Sequence, residues 1–314
     1  MKRVVILTEG GKDKGFGHVT RCLSVYQAFE KVGIIPNFII NGDESISQLF
    51  CGEKYRVFDW VNNEEILFDF VNESDIAIVD SYFVDSNFYD KIQKKVKLAV
   101  YFDDNNRVDY PEGIVVNGSI YAPELGYSRS AGKEYLLGTR YLPQRREFRN
   151  VNKKIIREDV RNIVVTFGGI TYADDVYAMI ESIKRQSEFK FDVMKPKKGC
   201  FSAKEFMKFM ENADICISGG GQTLYELSRV GMPTIGISFA DNQNNNLEAW
   251  SENGFLEYVG SYNCDGIVQN INGAINKLKS RDERMRRSKI GRKYVDGKGS
   301  ARIVKILLAK LRKK

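Results

Sequence analysis

The feature that most constrains this chain is a rhythm played twice: short runs rich in β-branched and aromatic residues alternate with longer stretches of helical period. The β-rich runs fall at 4–8, 37–40, 75–79, 98–102 and 114–116, and again at 162–167, 189–194, 214–218, 234–238 and 256–259. Strands separated by helices pair in parallel, with helices covering the sheet. The helix after the first run is the most legible, because Cys22, Val25, Phe29 and Val32 recur along one stripe and Gly33 follows as a stop signal. Two such rounds in 314 residues predict two α/β domains of roughly 150 residues each. Between them, 145–159 is polar, charged and without period, and so reads as a linker with the boundary near 152. The expected organisation is a Rossmann-like domain over 1–152, a second over 153–298, and a closing helix over 299–314. That helix carries Ile303, Ile306, Leu307 and the Lys310 stem on one face and is expected to pack back toward the first domain.

With 43% apolar and 28% charged residues, the composition is that of a soluble globular protein. The apolar run that follows Lys2 and Arg3 is too short for a signal peptide or a membrane span, which makes the cytoplasm the expected location. The cysteines, at 22, 51, 200, 216 and 264, are odd in number, scattered and never in C-x-x-C spacing, so they indicate neither a disulfide framework nor a zinc site. A net charge of +7 suits an anionic partner, and much of the excess lies in 279–293 and 310–314. That basic stretch reads as a solvated helix face, with peripheral membrane contact as the alternative. Aromatic residues do not interleave with it as stacking platforms, which argues against nucleic acid.

The unusual residues fall after strands, where open parallel sheets bind their ligands. A glycine-rich loop precedes the first helix and ends in Gly15-Phe16-Gly17-His18-Val19-Thr20-Arg21. It matches neither Walker A nor G-x-G-x-x-G, but glycines at a helix entrance let backbone N–H groups approach a phosphate. His18, the only histidine, then stands at that entrance, with Arg21 one turn on along the same face. In the second half, Gly219-Gly220-Gly221-Gln222-Thr223 lies between a strand and a helix, with Glu226 in the first turns of that helix. Three consecutive glycines suggest a ligand close to the main chain, and Glu226 could accept hydrogen bonds from sugar hydroxyls. Gly168 and Gly169 follow the opening strand of the same half. The amides of Asn242 and Gln243 suit either a helix cap or the reading of sugar hydroxyls. Asp80-Ser81-Tyr82 and Asp103-Asp104 follow strands of the first half, and the paired aspartates are only a weak metal signal.

These pieces, together with Leu137-Gly138-Thr139-Arg140-Tyr141, Ala240-Asp241-Asn242-Gln243 and 296–302, run nearly the whole chain in order. In that order the chain resembles the UDP-2,4-diacetamido-2,4,6-trideoxy-β-L-altropyranose hydrolases of pseudaminic acid biosynthesis and related spore-coat polysaccharide proteins. More distantly it resembles the N-acetylglucosaminyltransferase that makes lipid II. The resemblance implies a GT-B architecture, two Rossmann-like domains facing a cleft, with the nucleotide held mainly by the second domain and the sugar by the first. It implies that His18 matches the catalytic histidine and activates water against the anomeric carbon, releasing UDP with neither metal nor cofactor. It implies that Glu226 contacts the ribose, and that Gly15, Gly17, Arg21, Asp80, Tyr82, Gly168, Gly169, Gly219, Gly220, Gly221, Gln222, Thr223, Asn242 and Gln243 line the substrate. The chain departs from the pattern at Ser81, where histidine is expected, and at Ile170-Thr171, where Ser-Asp is usual. Two other readings stand beside this one: an inverting glycosyltransferase in which His18 deprotonates an acceptor hydroxyl, and a non-catalytic UDP-sugar-binding protein.

Overall fold

Val4 and Ile6 turn to one side of the first strand and Val5 and Leu7 to the other, and all four are buried. A strand without a wet face belongs in the interior of a sheet covered on both sides. The computed structural model, which describes residues 2–72, 74–128, 130–167, 174–185, 187–194 and 203–313, has two such sheets in two compact units. One unit is Met1–Arg146 with Gly297–Lys314, and the other is Glu147–Asp296.

The first unit contains β1 (Val4–Gly10), α1 (Gly17–Glu30), β2 (Asn37–Gly42), β3 (Arg56–Val57), α2 (Glu64–Asn72) and β4 (Ile76–Asp80). It continues with α3 (Ser86–Gln93), β5 (Leu98–Phe102), β6 (Gly113–Asn117) and β7 (Lys133–Leu137). Its strands pair in parallel in the order β3-β2-β1-β4-β5-β6-β7. The order reverses between β1 and β4, which opens a crevice beyond their carboxyl ends. On one face Ile6, Phe38 and Ile78 meet Val19, Cys22, Val25 and Phe29 of α1. On the other, Leu7, Ile39 and Val79 meet Leu67 and Val71 of α2 and Phe88 and Ile92 of α3. Val32 is the exception to the expected stripe: α1 stops at Glu30, and Val32 is 55% exposed. Strands β3 and β7 carry little sequence signal, since β3 has two exposed residues and β7 is only partly buried along most of its length.

The second unit holds β8 (Asn162–Thr166), α4 (Asp174–Arg185), β9 (Lys190–Val193), α5 (Ala203–Asn212), β10 (Ile215–Gly219) and α6 (Thr223–Val230). It goes on with β11 (Thr234–Ser238), α7 (Asn244–Glu252), β12 (Leu256–Ser261), α8 (Ile267–Leu278) and α9 (Arg281–Tyr294). The strand order β12-β11-β10-β8-β9 reverses between β8 and β10. The last helix, α10 (Gly299–Leu311), belongs to the first unit, where Ile303, Val304 and Leu307 pack into the core beside α1.

Within the polar segment 145–159, the backbone from Phe148 to Glu158 is fastened to the second unit. Arg229 donates to the carbonyls of Phe148 and Arg149 at 2.9 and 2.8 Å, and Arg284 to those of Arg157 and Glu158 at 3.1 and 2.7 Å. Lys154, 9% exposed, donates to the last carbonyls of α5, Met210 and Glu211, at 2.7 and 3.0 Å. The units therefore divide at Arg146/Glu147, a few residues before 152. The basic run of α9 is likewise only in part a solvated face: Arg284 is fully buried, Arg287 pairs with Glu257 and Glu283, and Arg292 donates to the Arg229 carbonyl at 3.2 Å. Among the described residues no helix is long and apolar enough to cross a membrane.

Candidate functional site

In the first unit the carboxyl ends of β1, β4 and β5 bring together residues far apart in sequence. His18 and Arg21 lie one turn apart on α1, so both side chains face the end of β4. Strand β4 runs through Asp80, placing that carboxylate, fully buried, beneath them. His18 Nδ1 lies 2.6 Å from Asp80 Oδ1, and Arg21 donates to Asp80 through Nε at 2.5 Å and a terminal nitrogen at 2.6 Å. The other terminal nitrogen of Arg21 reaches Asp104 Oδ1 at 2.5 Å, and Asp104 Oδ2 accepts from the Tyr82 hydroxyl at 2.6 Å. The Tyr82 ring meets the imidazole edge to face, with centroids 4.6 Å apart.

The electrostatics follow from that ring of contacts. Burial pushes the Asp80 carboxyl upward, but Arg21 and His18 outweigh it and hold the carboxyl far below the usual carboxylate range. An ionised Asp80 requires the proton on His18 Nδ1, which leaves Nε2 with its lone pair. Burial favours the neutral imidazole, yet the Asp80 carboxylate wins over burial and over Arg21, and the His18 pKa is raised above 6.5. Burial would lower the Arg21 pKa, but Asp104 and Asp80 drive it well above the ordinary value. Burial and Asp104 push the Tyr82 phenol up, so it remains a neutral donor.

This geometry recasts several expected residues. Arg21 donates through Nε and both terminal nitrogens to carboxylates and so organises the site. In the glycine loop, Gly11 N–H donates to the Gly15 carbonyl at 2.9 Å and Lys12 N–H to Asp43 Oδ2 at 2.9 Å. A Cβ at Gly11 would sit 2.1 Å from that carboxylate oxygen, which explains the glycine. Those two N–H groups are therefore occupied. Gly15, at φ +75°, and Gly17, the first residue of α1, leave open space at the helix entrance. Asp103 and Asp104 diverge: Asp103 accepts from the Asn106 and Arg107 N–H groups and from the Tyr110 and Tyr127 hydroxyls. Asp104, singled out with Asp103 after its strand, joins the site through Arg21 and Tyr82. Two residues that sequence reasoning missed also shape the site: Asp43, and Glu9, which accepts from the Ser81 hydroxyl and, at 2.8 Å, from the Tyr82 N–H. Each is an ordinary acid in the sequence, and only its partner in space marks it.

In the second unit, Gly219 closes β10 and Gly220 and Gly221 lead into α6, where Gln222 caps without a side-chain bond and Thr223 is the first residue. The N–H groups of Leu224 and Tyr225 already bond to the Gly221 and Gln222 carbonyls at 3.1 Å, so an anion at this end would meet the N–H groups before them. Gln243 turns out to brace the loop: its Oε1 accepts from the Gly220 and Phe239 N–H groups at 3.0 and 3.2 Å. Asn246 donates to the Gly220 carbonyl at 2.7 Å and accepts from the Tyr225 hydroxyl at 2.7 Å. Asn242 is exposed, and Glu226 is 6% exposed on α6. Phe239, which the sequence did not single out, lies against Gly219 and stacks on Tyr262 with centroids 5.2 Å apart. Gly168 and Gly169, with Ile170 and Thr171, lie outside the described residues.

No family model matches the chain. Its sequence is 23% identical to protein MJ1062 of Methanocaldococcus jannaschii over 74% of this chain and 55% of that one. It is also 23% identical to the pseudaminic acid cytidylyltransferase and UDP-2,4-diacetamido-2,4,6-trideoxy-β-L-altropyranose hydrolase of Helicobacter pylori, over 76% of this chain and 45% of that one. The chain thus spans about half the length of these two relatives. The spore coat polysaccharide biosynthesis protein SpsG of Bacillus subtilis is 23% identical over 97% of both chains. Among solved structures, MurG of Acinetobacter baumannii superposes with a TM-score of 0.68 at 13% identity, covering 98% of this chain and all of that one. UGT89C1 of Arabidopsis thaliana, complexed with UDP, superposes with a TM-score of 0.69 at 14% identity, covering 99% of this chain and all of that one. The chain has the GT-B fold, and its sequence is similar to SpsG and to the Helicobacter protein.

Proposed function

We propose that the chain is an enzyme of surface-polysaccharide or nonulosonic acid biosynthesis that hydrolyses a UDP-sugar to UDP and the free sugar. The similarity to SpsG and to the Helicobacter hydrolase supports a UDP-sugar substrate, and the 2,4-diacetamido-2,4,6-trideoxyhexose named in the latter is the sugar to try first. The observation that carries the reading is the His18–Asp80 pair: a buried carboxylate holds the proton of the neutral imidazole on Nδ1 and so leaves the Nε2 lone pair to act as a base. In the reaction His18 Nε2 takes a proton from water while the water oxygen bonds to the anomeric carbon. The bond from that carbon to the phosphate oxygen breaks, and its electron pair leaves with UDP. Taken by itself, the second unit offers the N-terminal end of α6 behind Gly219, Gly220 and Gly221 as the element suited to a diphosphate, with Phe239 as an apolar face beside it.

The test is to incubate the purified chain with the UDP-sugar in H₂¹⁸O without acceptor. Hydrolysis at carbon releases UDP and places the label in the sugar. Release that waits for an added acceptor would replace the hydrolase with a glycosyltransferase of the same fold, and UDP binding without turnover would leave a binding protein. The proposed working location is the cytoplasm, where nucleotide-sugars are made.

A further inference from the structure

Arg21 is an awkward neighbour for a base. One of its terminal nitrogens lies 3.4 Å from His18 Nδ1, and the guanidinium shares with the imidazole the same Asp80 carboxylate. With Asp80 alone, one negative charge would serve two cations, and an imidazolium would face an unbalanced guanidinium. The chain places a second carboxylate on the far side of Arg21. We propose that Asp104 is a positioning residue that acts on His18 through Arg21: it supplies the counter-charge Arg21 needs, so that the charge of Asp80 stays available to the imidazole.

Around His18 stand Arg21 from its own helix, Asp80 from β4, Tyr82 from the segment after β4, and Asp104 from the segment after β5. Cys22, at 3.4 Å from Asp80 Oδ2, is a neutral fourth neighbour of that carboxylate. One guanidinium and two carboxylates leave a single net negative charge, which is the charge that taking up a proton on His18 cancels. Asp104 also holds the Tyr82 hydroxyl, so the same carboxylate fixes the ring against which the imidazole packs. Its direct Coulomb effect on His18 has the same sign as that of Asp80.

His18 is the only histidine in the sequence, so its protonation can be followed by NMR of an untagged chain without substrate or turnover. The inference rests on the proposed hydrolysis only for its catalytic consequence; a chain that failed to hydrolyse any UDP-sugar would still answer this test. Asp104→Asn should lower the His18 titration midpoint by about one pH unit, and Asp104→Glu should restore it. Tyr82→Phe, which removes the hydroxyl and keeps the charge, should leave the midpoint in place. Arg21→Gln/Asp104→Asn removes the cation with its counter-charge and should return the midpoint toward the wild-type value. This double variant also stands in if an isolated Asp104→Asn chain fails to fold. A midpoint unmoved by Asp104→Asn, or one that follows Tyr82→Phe instead, would overturn the assignment, as would a double variant whose midpoint stays low.

Discussion

His18 can accept a proton only while neutral, and its surroundings favour the charged form. The rate constant kcat/KM should therefore fall as pH drops through a midpoint above 6.5 and level off on the alkaline side, a profile that initial-rate measurements would give directly. The linkage to stability runs the other way. A raised folded pKa means that protonated His18 contributes stability below 6.5, lost as pH rises through the folded value. His18→Ala should lower turnover by about two to four orders of magnitude with little change in UDP affinity by calorimetry; near-normal turnover would remove the base assignment. At this scale His18 was legible because glycines flank it at a strand-to-helix junction. Glu9 and Asp43 were not, because each is defined by a partner 72 or 31 positions away; Asp104 stood out after its strand, but its partner 83 positions away did not. Arg21 was visible as a residue, but nothing local reveals that Asp80 and Asp104 take up donors on three of its nitrogens.

The elements show the same division between local and long-range information. Parallel strands and the helices between them were readable from period, while the short edge strand β3 and the half-exposed β7 were not, because their pairing comes from neighbours in the sheet. The glycine loop at the head of α6 illustrates the limit well. Its glycines were visible as an invitation to a ligand, whereas a Cβ at Gly220 would lie 2.7 Å from the Gln243 side chain and 2.9 Å from Leu247. Close packing against α7 thus demands glycine there whatever binds. Gly220→Ala should cost the second unit about 1–3 kcal/mol of stability, and UDP affinity should fall with it; a variant unchanged in both would show that the loop has room. Gln243→Ala removes the acceptor of two backbone N–H groups and should weaken UDP binding, whereas Asn242→Ala, on the exposed side, should leave it intact. Equal losses from both in a calorimetric titration would return Gln243 to direct ligand contact.

At the scale of the whole molecule, the two tryptophans report on one unit each: Trp60 is buried against α3 in the first, and Trp250 against Phe255 in the second. Leu307 is buried beside α1, and Leu307→Ala should destabilise the first unit by about 2–5 kcal/mol. In a Trp250→Phe background the Trp60 fluorescence transition should move to lower denaturant. The Trp250 signal of the reciprocal Trp60→Phe chain should move less, and an equal shift would mean that the units unfold as one. The return of α10 to the first unit also carries a consequence for synthesis. The second unit is one continuous stretch and can fold as soon as it clears the ribosome. The first is left open until residues 297–314 arrive. At about 5–20 residues per second, the apolar flank of α1 waits on the order of ten seconds for its last neighbour. During that interval the nascent chain exposes the surface that α10 will cover, and a chaperone that binds apolar segments would find it there.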